Sequence, residues 1–591
     1  MSSTLREKDN FQQPVGSSAE LSRGHVEELT WRYYLTPRFV GSYFALILTA
    51  CNLYVSYNIP VSLLPVINAD IGPDSNINLV PLLHTLLKGV GLLVVGRLTD
   101  IFGRRWFLIG GQILCGVGSI PCALSGNVNS LLAGTVVLAL GGSVQPLYPL
   151  YCQEIVPNRF RALSQATITL CILPFFGFGP VLGRLLVQNT ALGWRATYWI
   201  NAAFCFASAI LYCLCYFPPD YNQINPGKNR RQQLAELDYI GIALYVGGAV
   251  VLLLGFVWST DATVGGWPSA RVISLVVVGG VALIAFGFWE AYGNAKTRIV
   301  PLHLFKVKGY LAIIAVGCVS QMCFFSFNLF LPQIAQNLFN VSNIEIGLIS
   351  TTTNAGIAIG EIIAGFVWKR VKHNRLQIML ACTLLVLFAG LMALTNQYQL
   401  GVTVAIAVLA GVSIGWTQLS TLVTCGLIVP VNDIGIGQGF FGSCRNILGT
   451  IATSIFVSIN GNRLPQEMED RIPPAVIGAG LPPTSVPTLL EAAKTGKATA
   501  LKAVPGINST IIEAFSTAQK DSYSRSFAVI YLSTTAFGGV ALIASYWSPN
   551  VDSMMTNFVN KRVDGIQRTT QNVQAVEESQ GGVKTGSAEN C

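Results

Sequence analysis

Apolar runs of about 20 residues recur along this chain, and that length matches the ~30 Å hydrocarbon core of a bilayer. They lie near 39–62, 79–99, 106–124, 129–151, 162–189, 196–216 and 238–258, then near 271–291, 310–336, 345–368, 376–394, 402–428, 435–459 and 524–547. Lipid offers no partner to a backbone N–H or C=O, so each run is predicted to be a helix that satisfies its own backbone. The expected fold is an all-α membrane protein with fourteen transmembrane helices. Only 11% of the 591 residues are charged, against about 25% in soluble domains. The net charge of +9 resides in short loops beside the spans, which is a topology signal, and no nucleic-acid partner is expected. Most of the fourteen cysteines fall inside apolar runs, Cys51, Cys115, Cys205 and Cys213 among them. They show no metal or disulfide spacing and read as small core residues.

Loop charge sets direction. With the N-terminus cytosolic, the inner loops hold Arg97, Arg104, Arg105, Arg159, Arg161, Lys228, Lys296, Lys369 and Arg375, while the short outer loops hold only Arg195 and Arg271. Both termini are therefore expected in the cytosol. The polar residues 1–38 read as a cytosolic tail and carry no secretory signal. Residues 39–217 read as one six-helix bundle, 218–309 as a linker with two extra spans, 310–547 as a second six-helix bundle, and 548–591 as a cytosolic C-terminal tail. The second bundle includes a long outer loop, 460–522, with short surface helices expected around 487–503. Asn340 and Asn508 open Asn-x-Ser/Thr triplets in outer loops and are glycosylation candidates.

Between the second and third runs stands GRLTDIFGRR, residues 96–105. Gly96 and Gly103 permit close helix approach and a tight turn. Asp100 can accept from helix-end donors and pair with a cation, while Arg104 and Arg105 anchor the inner face. Downstream come GFGPVLG at 177–183, LDYIGIALY at 237–245, YCQEIVPNRFRA and GWRATYWI. With these segments the chain resembles the major facilitator superfamily, in its fourteen-span drug:proton antiporter form, and within it the fungal trichothecene efflux pump family. The resemblance implies a 6+2+6 arrangement whose bundles rock about a path between them. It makes Gly96, Asp100, Gly103, Arg104 and Arg105 a conformational latch, with Arg104 the partner of Asp100. It makes Gly177, Gly179, Pro180 and Gly183 an antiporter motif at the bundle interface, on a span whose composition also favours a kink and close packing. Ile101 stands where the family commonly has a basic residue. The matching loop after span 10 lacks the acid, with Lys369 four residues after Gly365.

Charges inside spans cost at least ~2.5–3.5 kcal/mol each and mark function or fixed pairing. His84 and Lys88 share one face of span 2, Glu361 lies in span 10 and Arg445 in span 13. These four are the proton-coupling or intramembrane charge candidates; for Lys88, Glu361 and Arg445 a fixed interhelical salt bridge is the alternative. Glu154 and Glu290 read as interfacial. Val137, four residues before Gly141, stands where many family members carry an arginine, and span 1 lacks an acid. Spans 1, 4, 9 and 12 line the cavity by analogy. They offer Asn52, Tyr54, Tyr57, Asn58, Gln145, Tyr148, Gln321, Phe324, Phe325, Asn328, Trp416, Thr417 and Ser420, a mixture suited to a bulky, weakly polar small molecule.

The expected function is export of amphipathic small molecules, such as secondary metabolites, mycotoxins or fungicides, by proton antiport, with multidrug resistance as the phenotype. A fourteen-span siderophore:proton symporter is the alternative. No HExxH, GxSxG, Cys/His cluster or phosphate loop occurs, so an enzyme is not expected. The expected partners are the small-molecule substrate and the lipid bilayer, with no obligate protein partner and no metal. No cofactor is expected beyond the proton gradient, and the expected address is the plasma membrane.

Overall fold

The computed structural model describes residues 31–218, 230–259, 266–293, 297–339, 341–489, 507–557 and 559. Among them thirteen helices are long and apolar enough to cross a bilayer, and a pair bent by 42° makes a fourteenth. The first bundle holds α1 (Pro37–Ser62), α2 (Leu79–Phe102), α3 (Arg105–Ala123), α4 (Val128–Ile155), the bent α5 (Asn158–Phe176 and Gly179–Asn189) and α6 (Arg195–Cys215). A pair follows, α7 (Tyr239–Trp258) and α8 (Ala270–Tyr292). The second bundle holds α9 (Tyr310–Leu338), α10 (Ile344–Val371), α11 (Asn374–Met392), α12 (Leu400–Ile428), α13 (Ile434–Gly478) and α14 (Ser509–Ser545). The first twelve spans fall within a few residues of their expected limits.

Local chemistry starts and joins these helices. The Asn127 side chain accepts from Ser130 N–H at 2.8 Å, covering an orphan donor at the start of α4. Asp238 takes the Gly241 N–H at 2.8 Å and, from α8, Trp289 Nε1 at 2.9 Å, so one carboxylate both caps α7 and ties it to its neighbour. Glu290 is buried and accepts the backbone N–H groups of Ile299 and Val300 at 2.9 and 3.1 Å. Its interfacial reading is thereby corrected: the chain after α8 folds over it and supplies the donors that its burial requires. Tyr245, Ala249 and Phe286 of the pair pack against Val90 and Leu93 of α2, at the seam between the bundles.

The expected long loop at 460–522 is also corrected. α13 continues as helix to Gly478 through Pro465, Pro473 and Pro474, and α14 is already helical from Ser509. The two extensions are joined by Ser526 Oγ to Asn460 Oδ1 at 2.8 Å. They enclose a small apolar core of Ile472, Val476, Leu481, Ile511 and Phe515. Prolines and polar composition suggested a loop, but paired helices bury enough apolar surface to override them. Most of 487–503 lies outside the described residues.

Candidate functional site

Gly103 has φ +90°, a conformation that glycine adopts without strain, and it turns the chain from α2 into α3. The turn sets Arg104, 2% exposed, between two carboxylates. Its Nη2 lies 2.7 Å from Asp100 Oδ1 and its Nε 2.5 Å from Glu154 Oε2. Asp100 Oδ2 accepts the Ile436 N–H at 2.9 Å. That donor belongs to the first turn of α13, where N–H groups lack helical partners, so Asp100 sets a negative charge on the positive end of a helix in the other bundle. Gly96 allows the approach, because a Cβ there would stand 2.6 Å from Gly435 O. Arg105 faces its own bundle, with Nη2 donating to Cys213 O at 2.9 Å and the guanidinium 4.0 Å from the Phe217 ring centroid.

Further contacts at this end were not anticipated. Glu154 is buried as the second partner of Arg104, which corrects its interfacial reading. Arg161 is 2% exposed and donates from Nη1 to Gly426 O of α12 at 2.8 Å. Gln438 Nε2 donates to Gln153 Oε1 at 2.8 Å, in space that a side chain at Gly426 would fill. The segment after α14 then returns across the end of the molecule. Arg159 N–H donates to Thr556 O at 3.1 Å, and Asn158 Nδ2 to Met554 O at 3.3 Å. On the second bundle, Asp552 accepts from His373 N–H and Asn374 Nδ2 at 2.8 and 2.7 Å. Residues 551–556 thus strap the two bundles together, where only a cytosolic tail was expected. The polar density of YCQEIVPNRFRA was the available signal, read as loop charge and family resemblance but not as a contact between bundles.

Above this fastened end, between the bundles, lies a cavity of ≈ 220 Å³. Of the expected residues, Tyr54, Tyr57, Asn58, Tyr148, Gln321, Phe324 and Phe325 line it, together with all four charge candidates, His84, Lys88, Glu361 and Arg445. Helices α2, α5, α10 and α13 contribute walls beside the anticipated four. Six cavity assignments are corrected. Asn52 and Gln145 lie behind the wall on Gln112 Oε1, at 3.4 and 3.3 Å. Asn328 donates to Asn354 Oδ1 at 2.9 Å. Thr417 is buried and bonded to Ser413 O, Ser420 is buried, and Trp416 packs by the Trp368 cluster. Gln418 and Leu422 present the cavity face of α12 instead.

The alternative of a fixed salt bridge is not met: among the described residues no ion pair within 4.0 Å involves Lys88, Glu361 or Arg445. Lys88 Nζ donates to Ser56 Oγ at 3.0 Å and to Gln145 Oε1 at 2.9 Å. His84 Nε2 shares the same Ser56 hydroxyl at 3.3 Å, and its ring stacks on Tyr57. Arg445 Nη2 donates to Gln321 Oε1 at 2.7 Å. Glu361 accepts from Thr169 Oγ1 of the opposite bundle at 2.6 Å. A carboxylate whose hydrogen bond crosses the interface can link its own protonation to the contact between bundles.

The expected kink falls within GFGPVLG. Gly179 and Gly183 pack against α1, where Cβ atoms would meet Asn58 Cβ at 3.2 Å and Ile59 Cγ2 at 3.0 Å. Gly177 and Pro180 mark the break. The motif glycines therefore serve packing within the first bundle, and Val181 and Arg184 provide its approach to Gly347 of α10. Asn508 is exposed at the start of α14, its Oδ1 accepting from Thr510 N–H at 3.1 Å, while Asn340 lies outside the described residues.

The model of the family described as fungal trichothecene efflux pump (TRI12) matches residues 16–585. The trichothecene efflux pump TRI12 of Fusarium sporotrichioides is 31% identical over 549 residues, covering 92% of this chain and 90% of that protein. The MFS-type transporter prx5 of Penicillium rubens is 26% identical, covering 93% and 98%. Among solved structures, the major facilitator superfamily proton:xylose symporter XylE matches with a TM-score of 0.52 at 12% identity, covering 88% of this chain and 98% of that one. This last likeness concerns the fold alone.

Proposed function

The chain belongs to the fungal trichothecene efflux pump family, and from that premise we propose that it exports amphipathic small molecules, trichothecene-like terpenoids or fungicides among them, by proton antiport with alternating access. Family and fold are those of transporters. The observation that carries the reading is the pairing of an interbundle cavity with Glu361, a cavity carboxylate held across the interface by Thr169. Protonation of Glu361 weakens it as an acceptor for Thr169, and the two bundles lose a contact. Cargo enters when the bundles part at the latch end, and the proton enters from the other side. The hydrogen bonds between bundles run from mid-depth, where Ser443 Oγ meets Gly89 O, to the strap. The structure therefore corresponds to the state closed at the latch end. Import of siderophores is set aside, since the named trichothecene relative is an efflux pump.

The latch end, both termini and the positive loops face the cytosol in this proposal. The address is the plasma membrane, multidrug resistance is the phenotype, and Asn508 faces the outside as the glycosylation acceptor. The test is accumulation of labelled terpenoids in inside-out vesicles with an acidified lumen. Uptake that a protonophore abolishes, and that Glu361→Gln lowers at least tenfold at equal abundance, is expected. Full proton-driven uptake by Glu361→Gln removes the residue from the cycle, and protonophore-insensitive uptake removes proton antiport.

A further inference from the structure

Lys88 has no part in the proton step assigned to Glu361, yet its burial is unusual. It is 4% exposed, reaches the cavity from mid-α2, and meets only neutral oxygens, Ser56 Oγ and Gln145 Oε1. An ammonium has three N–H donors, so one remains for the cavity. The position is built for this group: a Cβ at Gly142 would stand 2.5 Å from Lys88 Cε. On the opposite wall, Gln418 Nε2 is buried without a partner, and Arg445 gives Nη2 to Gln321. Spare donors thus face each other from the two bundles. On the acceptor side stand Glu361, already bonded to Thr169, and the unpartnered Gln165 Oε1. Burial of an ammonium against an apolar ligand surface without replacing its water is costly, and a charged donor raises that cost. A site with buried donors therefore rejects ligands that offer them nothing.

The geometry points to an acceptor-recognition subsite. The cargo is an acceptor-rich, donor-poor amphipath, one carbonyl or carboxylate oxygen on Lys88 and a second on Gln418, its apolar body against Phe324, Phe325 and Leu422. This rests on the reading of the cavity as the substrate site. It adds that Lys88 selects oxygen chemistry and that cargo bridges the two bundles.

The test measures binding of three fluorescent probes on one terpenoid skeleton to the purified full chain. They are a methyl ester, its free acid and the hydrocarbon lacking both oxygens. The oxygenated probes are expected to bind at least tenfold more tightly than the hydrocarbon. Lys88→Met should narrow that gap to about threefold or less, by loss of one hydrogen bond to a charged group, while Lys88→Arg preserves it. A wild-type preference for acid over ester identifies an anionic cargo, and equal binding a neutral carbonyl; both uphold the subsite. Absence of an oxygen preference, or a preference untouched by Lys88→Met, overturns it. If Lys88→Met does not fold, Gln418→Leu tests the same discrimination from the other wall, and an unchanged gap there overturns the proposal. Proton-driven accumulation of the hydrocarbon probe would leave export intact while removing this subsite.

Discussion

Replacement of Asp100 by alanine should open the latch end. Two effects between the bundles leave with the carboxylate, besides its ion pair with Arg104 in the same bundle: the hydrogen bond from Ile436 N–H at 2.9 Å and the charge at the start of α13. A hydrogen bond to a charged group contributes about 1.5–3 kcal/mol, and a charge at a helix N-terminus about 0.3–1 kcal/mol, more when partly buried. The same atoms make both, so the closed state loses about 2–3 kcal/mol, a change of about 30- to 140-fold in the closed-to-open ratio. The larger penalty of a stranded buried ion does not arise, because Arg104 keeps Glu154 at 2.5 Å. Asp100→Asn retains an acceptor and loses only the charge, so its shift is smaller, about fivefold. Trp106 and Leu376 are exposed near the latch end on opposite bundles and suit genetically encoded spin labels. Pulsed electron resonance in nanodiscs should show a longer distance for Asp100→Ala, a partial shift for Asp100→Asn, and normal abundance for both. An unchanged distance distribution in Asp100→Ala would refute the latch.

Two other predictions concern the cavity and the far end. Gln418→Ala should change substrate affinity at least threefold, whereas Trp416→Ala should lower thermal stability and leave selectivity alone; competition binding distinguishes them, and the reverse pattern would restore Trp416 to the site. Beyond the spans, hydrogen bonds from Trp194 Nε1 at 3.0 Å and Arg195 Nη1 at 2.7 Å hold the Asp70 carboxyl below the usual carboxylate range. A depressed pKa gives stability that is present above the unfolded value of about 3.9 and lost as pH falls through the lower native one. Asp70→Asn should therefore leave the shape of the transport–pH profile unchanged between pH 5 and 8, and a shifted profile would make Asp70 part of the coupling.

The span count was legible because a bilayer forces one solution on each apolar run. The pairing of Asp100 with Arg104 was legible because the glycines, carboxylate and arginines of that junction are adjacent in sequence. The cavity face of α12 was not. Ser413, Thr417, Ser420 and Thr421 form a polar stripe, but in membranes small hydroxyl residues are also packing residues. On the same helix Gly411 and Gly415 meet backbone atoms of Thr353 and Ile357 of α10, so a close helix crossing absorbs small side chains. The surroundings of Lys88 were hidden for another reason: Ser56 and Gln145 come from two other helices, and their meeting requires the packed bundle. Glu154 looked interfacial and Arg161 looked like a loop charge since both sit at helix ends; folding buries Glu154 against Arg104 of its own bundle and sets Arg161 on Gly426 O of the other.

The unbroken course of α13 has a mechanical consequence. From Arg445, level with the cavity, to Gly478 the helix runs about 50 Å at 1.5 Å per residue. Its outer part is braced by the apolar core shared with α14, so the projection and the membrane segment form one lever arm. A tilt of the second bundle by about 10° would sweep the tip through roughly 9 Å over that length. A small rotation deep in the bilayer is thus displayed, enlarged, on the far side, where a bound antibody fragment or fluorophore could follow each turnover without touching the cavity.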